Sequence, residues 1–254
     1  MTTGPVQVQA RGNVATVTLN DPDRRNALGS AMFDALEMAL GEIAASRNAV
    51  VVLLRGNGRC FCAGFDLAAA ARDPAVMGTY IERLSGLLRA VRRLPQVTVA
   101  AVHGAAIAGG CAIVSACDLV VVSATARLGY PVHRIGVSPA VTIPTLQQAV
   151  GPGPARALLL GGEPVDGRTA HRIGLASHLS RDDRSTLADA DALCETLAAR
   201  GPDALRATKA WLNELEGTLD DRQFDGPMRD TAALARGDEA RRTVSARLRD
   251  RYGP

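Results

Sequence analysis

Two short glycine-centred stretches carry the chemistry this sequence offers: Cys60-Phe-Cys-Ala-Gly-Phe-Asp-Leu67 and His103-Gly-Ala-Ala-Ile-Ala-Gly-Gly-Cys111. Each follows an apolar run and leads into small, helix-compatible residues. A helix start leaves its first backbone N–H groups unpaired and turns the positive end of the peptide dipoles outward. Glycine at such a start removes the side chain that would keep a ligand away from the backbone. A turn of this kind can hold a phosphate, a carboxylate or the oxyanion of a reacting carbonyl. One N–H from each stretch on the same oxygen would make an oxyanion hole, each donor contributing about 3 kcal/mol once charge develops. Spacing alone leaves open whether the two turns meet.

The elements that must position these turns are legible in the hydrophobic pattern. Val50-Val-Val-Leu-Leu-Arg55 and Val97-Thr-Val-Ala-Ala-Val102 are apolar and rich in β-branched residues, which predicts buried strands. Gly56-Asn-Gly58 turns the chain after the first, and residues 111–117 predict a short, tightly packed helix after the second. Two strand–turn–helix units about 50 residues apart suggest successive turns of a repeating β-β-α structure. Residues 6–9 and 13–19 predict an opening hairpin around Arg11-Gly12. Ser30 is placed to cap a helix with the stripe Phe33, Leu36, Leu40 and Ile43. A longer helix, with the stripe Ile81, Leu84, Leu88 and Val91, follows Asp73-Pro74 and stops at Pro95. Residues 118–123 predict a third strand with 126–130 as its short partner, and 176–179 a last strand. Helices are expected over 139–150, 153–160 and 166–173, then through most of 182–249 with breaks at Gly201-Pro202, Gly217 and Gly237. The fold class is therefore α/β, with a β-rich core over 1–180 and a helical region over 181–254.

Composition narrows the function classes. Hydrophobic residues make up 47% of the chain, enough for a sizeable core without disulfides or metals. Lys+Arg (29) nearly balances Asp+Glu (26), which gives no support for a nucleic-acid partner. The five cysteines are odd in number and sit mostly inside apolar runs, as small hydrophobes of a reducing cytosol do. Cys60-Phe-Cys62 lacks the C-x-x-C spacing, and no cluster suggests a metal. The N-terminus carries no charged region followed by an apolar run, and no stretch reaches about 18 apolar residues. A cytoplasmic protein without a membrane partner is expected.

Taken together, five pieces in order resemble the enoyl-CoA hydratase/isomerase (crotonase) family: Asn20-Asp-Pro-Asp-Arg-Arg-Asn-Ala-Leu28, Phe61-Cys-Ala-Gly-Phe-Asp-Leu67, His103 through Cys111, Cys117-Asp-Leu119, and Gly129-Tyr-Pro131 through Gly136. The resemblance implies a crotonase-like β-β-α spiral core over 1–180 that binds an acyl-CoA thioester. It further implies a C-terminal helical region over 181–254 that covers the core and joins a homotrimer or a hexamer (a dimer of trimers). The N–H groups of Phe65 and Gly109 would form the oxyanion hole, with coenzyme A part of the substrate and no separate cofactor. Arg24 and Arg25 stand where the family places basic residues near the CoA phosphates, and a planar guanidinium suits phosphate oxygens. Ala27, Ala63, Asp66 and Leu67 match positions whose backbone lines the adenine and pantetheine channel, and Gly64, Gly110, Pro131 and Val132 belong to the same binding motifs.

In the family's hydratases two glutamates flank the thioester. One holds and deprotonates water, and the other passes a proton to the α-carbon. Matching the motifs puts Ala112 and Val132 at those two positions, and neither side chain can carry a proton. A positioned acid or base contributes about 10²–10⁴-fold, so ordinary hydration of a 2-enoyl thioester is expected to be poor. Tyr130 and His133 flank the second position, and His133, whose imidazole titrates near neutral pH, is the first candidate to replace it. His103 and Asp118 read as structural and Asp66 as ordering its loop, while Glu82, Cys111 and Ser138 are lesser candidates. Two functions lead: a crotonase-family enzyme with non-standard proton chemistry, or a non-catalytic acyl-CoA-binding protein; a structural or interaction protein with a vestigial pocket is a third, against which Arg24, Arg25 and the Ala63–Leu67 loop argue. A dinucleotide site is excluded because the glycines lack G-x-G-x-x-G spacing and a following acidic residue.

Overall fold

The computed structural model describes residues 4–73 and 75–252, with residues 245 and 247–252 described by backbone alone. In chain order the elements are β1 (Val6–Arg11), β2 (Val14–Leu19), α1 (Ser30–Ala45), β3 (Val51–Gly56), α2 (Leu67–Arg72), α3 (Val76–Arg93), β4 (Val97–Val102) and β5 (Ala105–Ile107). There follow α4 (Gly109–Ala116), β6 (Leu119–Ser123), β7 (Arg127–Gly129), α5 (Ile143–Val150), α6 (Pro152–Gly161), β8 (Val165–Asp166), α7 (Gly167–Arg172) and β9 (His178–Ser180). The chain ends with α8 (Asp183–Ala198), α9 (Pro202–Leu215), α10 (Arg222–Ala235) and α11 (Asp238–Tyr252). Three short 3-10 turns intervene, at Pro22–Arg24, Pro131–Ile135 and Ala140–Thr142.

The α/β class expected from the pattern is the one observed. A six-stranded sheet runs β1-β2-β3-β4-β6-β9 and is parallel from β2 onward, as β-branched runs joined by helices require. A second sheet holds β5, β7 and β8. The pairing of residues 126–130 is a correction. Arg127–Gly129 aligns with β5 and β8 and not with the strand that precedes it. The small residues Ala105-Ala-Ile107 read as part of a turn, yet they extend and recruit β7 into a separate ladder. The helix start at residue 30 is a second correction: Gly29 occupies the cap position, and Ser30 is the first helical residue.

Period-two alternation divides the strands between two cores. Val52, Leu54, Ala100 and Val102 face the larger one, with α1, α3 and α4. Val51, Leu53, Val97, Val99 and Ala101 face a second, where Ala190, Cys194 and Leu197 of α8 cover them. Every residue of β4 is buried, so the strand is flanked on both faces. Among the described residues no helix is long and apolar enough to cross a membrane.

A buried ion pair ties α9 to the sheet. Lys209 Nζ lies 2.7 Å from Asp118 Oδ2 and donates to the Gln96 carbonyl at 2.8 Å. The same Asp118 oxygen accepts from the Thr98 N–H at 2.7 Å and its hydroxyl at 2.9 Å, the structural role read for it from sequence. Burial pulls the Lys209 pKa down, and Asp118 opposes that shift. Removing one partner of such a pair strands the other charge. Lys209→Met is expected to cost about 3 kcal/mol in a urea unfolding curve, and Lys209→Met with Asp118→Asn to recover part of that loss.

Candidate active site

The two glycine turns meet. β3 and β4 are parallel neighbours, so the segments leaving them emerge at one edge of the sheet. Residues Phe61 and Cys62 then run beside the start of β5. The Phe61 N–H donates to the His103 carbonyl (3.1 Å), Cys62 N–H to the Ala105 carbonyl (3.1 Å), and Ile107 N–H to the Cys62 carbonyl (3.0 Å). The approach leaves no room for side chains at two points. A Cβ on Gly64 would fall 2.9 Å from the Ile107 carbonyl oxygen, and one on Gly110 would fall 2.6 Å from that of Cys62.

Between β5 and α4 sits Ala108, at φ 51° and ψ −113°. A residue with a Cβ rarely adopts that conformation, at a cost of about 1–3 kcal/mol. It is held there by a 2.8 Å bond from its N–H to the Gly129 carbonyl of β7. The kink ends β5 and starts α4, whose first internal bond is Ala112 N–H to the Ala108 carbonyl at 2.9 Å. Among the described residues the Gly109 N–H has no hydrogen-bond partner, and neither does that of Phe65. The bonds on either side of Phe65 are made: Leu28 N–H to the Gly64 carbonyl (2.8 Å) and Asp66 N–H to the Leu28 carbonyl (3.1 Å). The Phe65 side chain packs over the second turn, where a Cβ on Gly109 would sit 3.4 Å from its ring.

Phe65 and Gly109 open onto one cavity of about 570 Å³. Ile81, Leu84, Val132, Ile135, Val137 and Val141 give it an apolar wall. Its ionisable lining residues are Arg25, Arg59, Cys60 and Tyr130; no Asp, Glu or His is among the described residues that line it. Ala63, Leu67, Ala112 and Pro131 also line it, so eight of the expected site positions are assembled here.

The remaining expected positions stand back from the cavity. Ala27, Gly64 and Gly110 are not among its lining residues. Arg24 does not face it either. Its guanidinium bonds Asp21 (2.6 Å) and Asp66 (3.2 Å), and the Asp21 hydrogen bond raises its pKa above the usual range. Asp66 caps α2, accepting from the Ala68 and Ala69 N–H groups at 3.1 Å, and so orders its loop.

His133 is a correction. It is exposed and lines a separate shallow cavity of about 240 Å³ with residues 160–163. Residues Pro131–Ile135 form a 3-10 turn with about three residues per turn, which aligns Val132 and Ile135 inward and leaves His133 and Arg134 outward. Glu82 is likewise turned out, paired with Arg236 at 2.6 Å. His103 is buried, its Nε2 3.0 Å from the Gly58 carbonyl.

Sequence reasoning passed over Asn26. It is fully buried in a left-handed conformation (φ 55°), and its amide nitrogen donates to the carbonyls of Asn57, Cys60 and Phe61, each at 3.0 Å. Its side-chain oxygen accepts from the Asp21 N–H at 2.8 Å. Asn26 thereby pins the Arg24-Arg25 turn to the loop that carries Phe65. The signal available was the ease with which asparagine tolerates positive φ at the end of a polar turn.

Three of the thiols are held protonated by burial. Burial pushes Cys62, Cys111 and Cys117 up to about 12, which removes Cys111 as a nucleophile. At pH 8 a thiolate-selective alkylating reagent is expected to leave these three untouched in the native protein and to label all five cysteines after unfolding, as read by mass spectrometry.

The family model for enoyl-CoA hydratase/isomerase matches residues 9–235. A protein of Thermus thermophilus named "Putative enoyl-CoA hydratase" is 42% identical over 217 residues, 84% of this chain and 85% of that protein. The crystal structure of an enoyl-CoA hydratase from Mycobacterium avium matches with a TM-score of 0.85 at 30% identity, covering 98% of each chain. That of an enoyl-CoA hydratase/isomerase from Xanthobacter autotrophicus Py2 reaches 0.88 at 26% identity, covering 99% of this chain and 95% of that one. With its ordered motifs, its parallel β-β-α architecture and these matches along most of its length, the chain belongs to the enoyl-CoA hydratase/isomerase (crotonase) family.

Proposed function

We propose that this protein binds an acyl-CoA thioester and holds its carbonyl oxygen between the N–H groups of Phe65 and Gly109. The observation that carries this reading is the pair of unpartnered donors, brought from two separate loops to one apolar cavity. A low-dielectric wall strengthens both hydrogen bonds as negative charge develops on the oxygen. Arg25 and Arg59, exposed at the cavity and without ion-pair partners among the described residues, suit the phosphates of coenzyme A. Coenzyme A thus enters as part of the substrate. A homotrimer or hexamer is the assembly proposed with it; α9 leaves Trp211, Leu212 and Leu215 exposed for such a contact.

On this reading the site stabilises an enolate without a carboxylate to make one. Ala112 and Val132 stand, by motif, at the positions of the two hydratase glutamates, and both line the cavity. Addition of water to a simple 2-enoyl thioester is then slow, because neither proton transfer has a positioned group. The second reading, a binding protein that keeps the oxyanion hole without turnover, is favoured by the lack of Asp, Glu or His among the described lining residues.

Two tests separate these possibilities. Crotonyl-CoA hydration, followed by loss of the enoyl-thioester absorbance, is expected to be very weak in the wild type and to rise at least about 10²-fold in Ala112→Glu/Val132→Glu. Efficient wild-type hydration would reject the account of the missing carboxylates. Gly109→Pro deletes a donor N–H, whereas Gly109→Ala adds a Cβ and keeps it. Loss of acyl-CoA affinity is therefore expected to be about 10-fold greater for the proline variant. Equal losses would put the hole elsewhere.

A further inference from the structure

Arg92, near the C-terminal end of α3, is a buried cation, 8% exposed, that does not line the cavity. Its bonds are few. Nη2 donates to the Ser115 carbonyl at 3.1 Å, Nη1 comes no nearer than 3.9 Å to Asp118, and Nε has no hydrogen-bond partner among the described residues. Asp118 is already paired with Lys209 at 2.7 Å, and the two cations oppose each other: burial, and then the charge of Arg92, pull the Lys209 pKa down. A buried guanidinium so weakly paired returns little of its desolvation cost as stability. What its one good bond supplies is direction. The Ser115 carbonyl belongs to the last turn of α4, whose first residue is Gly109. Such carbonyls lack intrahelical partners, point along the helix axis and form the negative end of the peptide dipoles. Every residue of α4 is buried, and apolar packing around its sides does not fix how far the helix sits along that axis. Arg92 does, from an anchored base, because its own carbonyl accepts from Asn213 Nδ2 at 3.0 Å. The other outside tie on this turn is a 2.8 Å bond between the Ser115 hydroxyl and that of Thr145 in α5.

We propose that Arg92 is a positioning residue for the oxyanion hole: it holds α4 by its C-terminal end and so sets where the Gly109 N–H stands against the thioester carbonyl. The inference rests on the thioester reading above and deepens it. A shift of α4 along its axis carries the Gly109 N–H with it, since both ends belong to one short helix. The guanidinium charge also offsets the negative end of α4, which leaves the positive end to act on the ligand.

Calorimetric titration with butyryl-CoA and with S-butyl-CoA, a thioether of the same length that lacks the carbonyl, reads the hole alone. The wild type is expected to bind the thioester about tenfold more tightly than the thioether. In Arg92→Met, which leaves Asp118 paired with Lys209, that ratio is expected to fall at least about threefold while S-butyl-CoA affinity stays within about twofold. Arg92→Lys keeps a charge without the reach and planar fork of the guanidinium, and its ratio is expected to lie between the two. Leu197→Ala loosens the second core, which α4 does not join, and is expected to leave the ratio unchanged. An unchanged ratio in folded Arg92→Met means a merely structural arginine and overturns the inference, as does an equal fall in Leu197→Ala. If Arg92→Met does not fold, Arg92→Lys decides, and an unchanged ratio there overturns the inference too. In these cases a preference for the thioester in the wild type leaves the oxyanion hole standing; equal wild-type affinities reject the hole and this inference with it.

Discussion

The structure depends on one backbone-to-backbone contact, where residues 61–65 lie against 103–110. Three ladder bonds make it, and glycines at 64 and 110 permit it because any Cβ there would meet a carbonyl oxygen. The rest of the core serves this meeting. Parallel β3 and β4 deliver both segments to one edge, Asn26 holds the first from behind, and β7 anchors the second through the Gly129 carbonyl. The strain at Ala108 belongs to the same arrangement: an unstrained turn there would not start α4 directly from β5, with Gly109 as its first residue.

Around that contact the electrostatics are asymmetric. The described lining offers backbone donors, hydroxyls and two arginines, while much of its wall is apolar. Cys111 and Tyr130, both buried close by, are held in their neutral forms. Such a cavity favours an anion that forms on a bound molecule, and it contains no described carboxylate or imidazole to draw a proton from one. The proposed thioester chemistry therefore has to be limited by proton transfer, whichever acyl group is bound.

Much of this was legible in the sequence, and the residues show where legibility stopped. The long apolar runs at 50–55 and 97–102 gave their strands away because both faces are buried, and the stripe from Ile81 to Val91 marked α3. The glycine turns marked the site because few other residues tolerate such close approach. Ala105-Ala-Ile107 gave no strand signal, since three small residues acquire that conformation only by pairing with β7 and Cys62. His133 drew attention by its chemistry, yet a 3-10 turn rather than an extended segment decided which way it points. Asn26 was hidden for a related reason: the carbonyls its amide donates to lie 31 to 35 residues away in sequence, and only the folded chain brings them together.

The central claim, that two backbone donors polarise a thioester carbonyl, is tested most directly by difference infrared spectroscopy of a bound acyl-CoA labelled with ¹³C at the carbonyl. Two hydrogen bonds in an apolar cavity weaken the C=O bond, so the account predicts a carbonyl band shifted to lower frequency on binding, with the shift reduced in Gly109→Pro. A bound ligand whose carbonyl band stays at its solution frequency would contradict it.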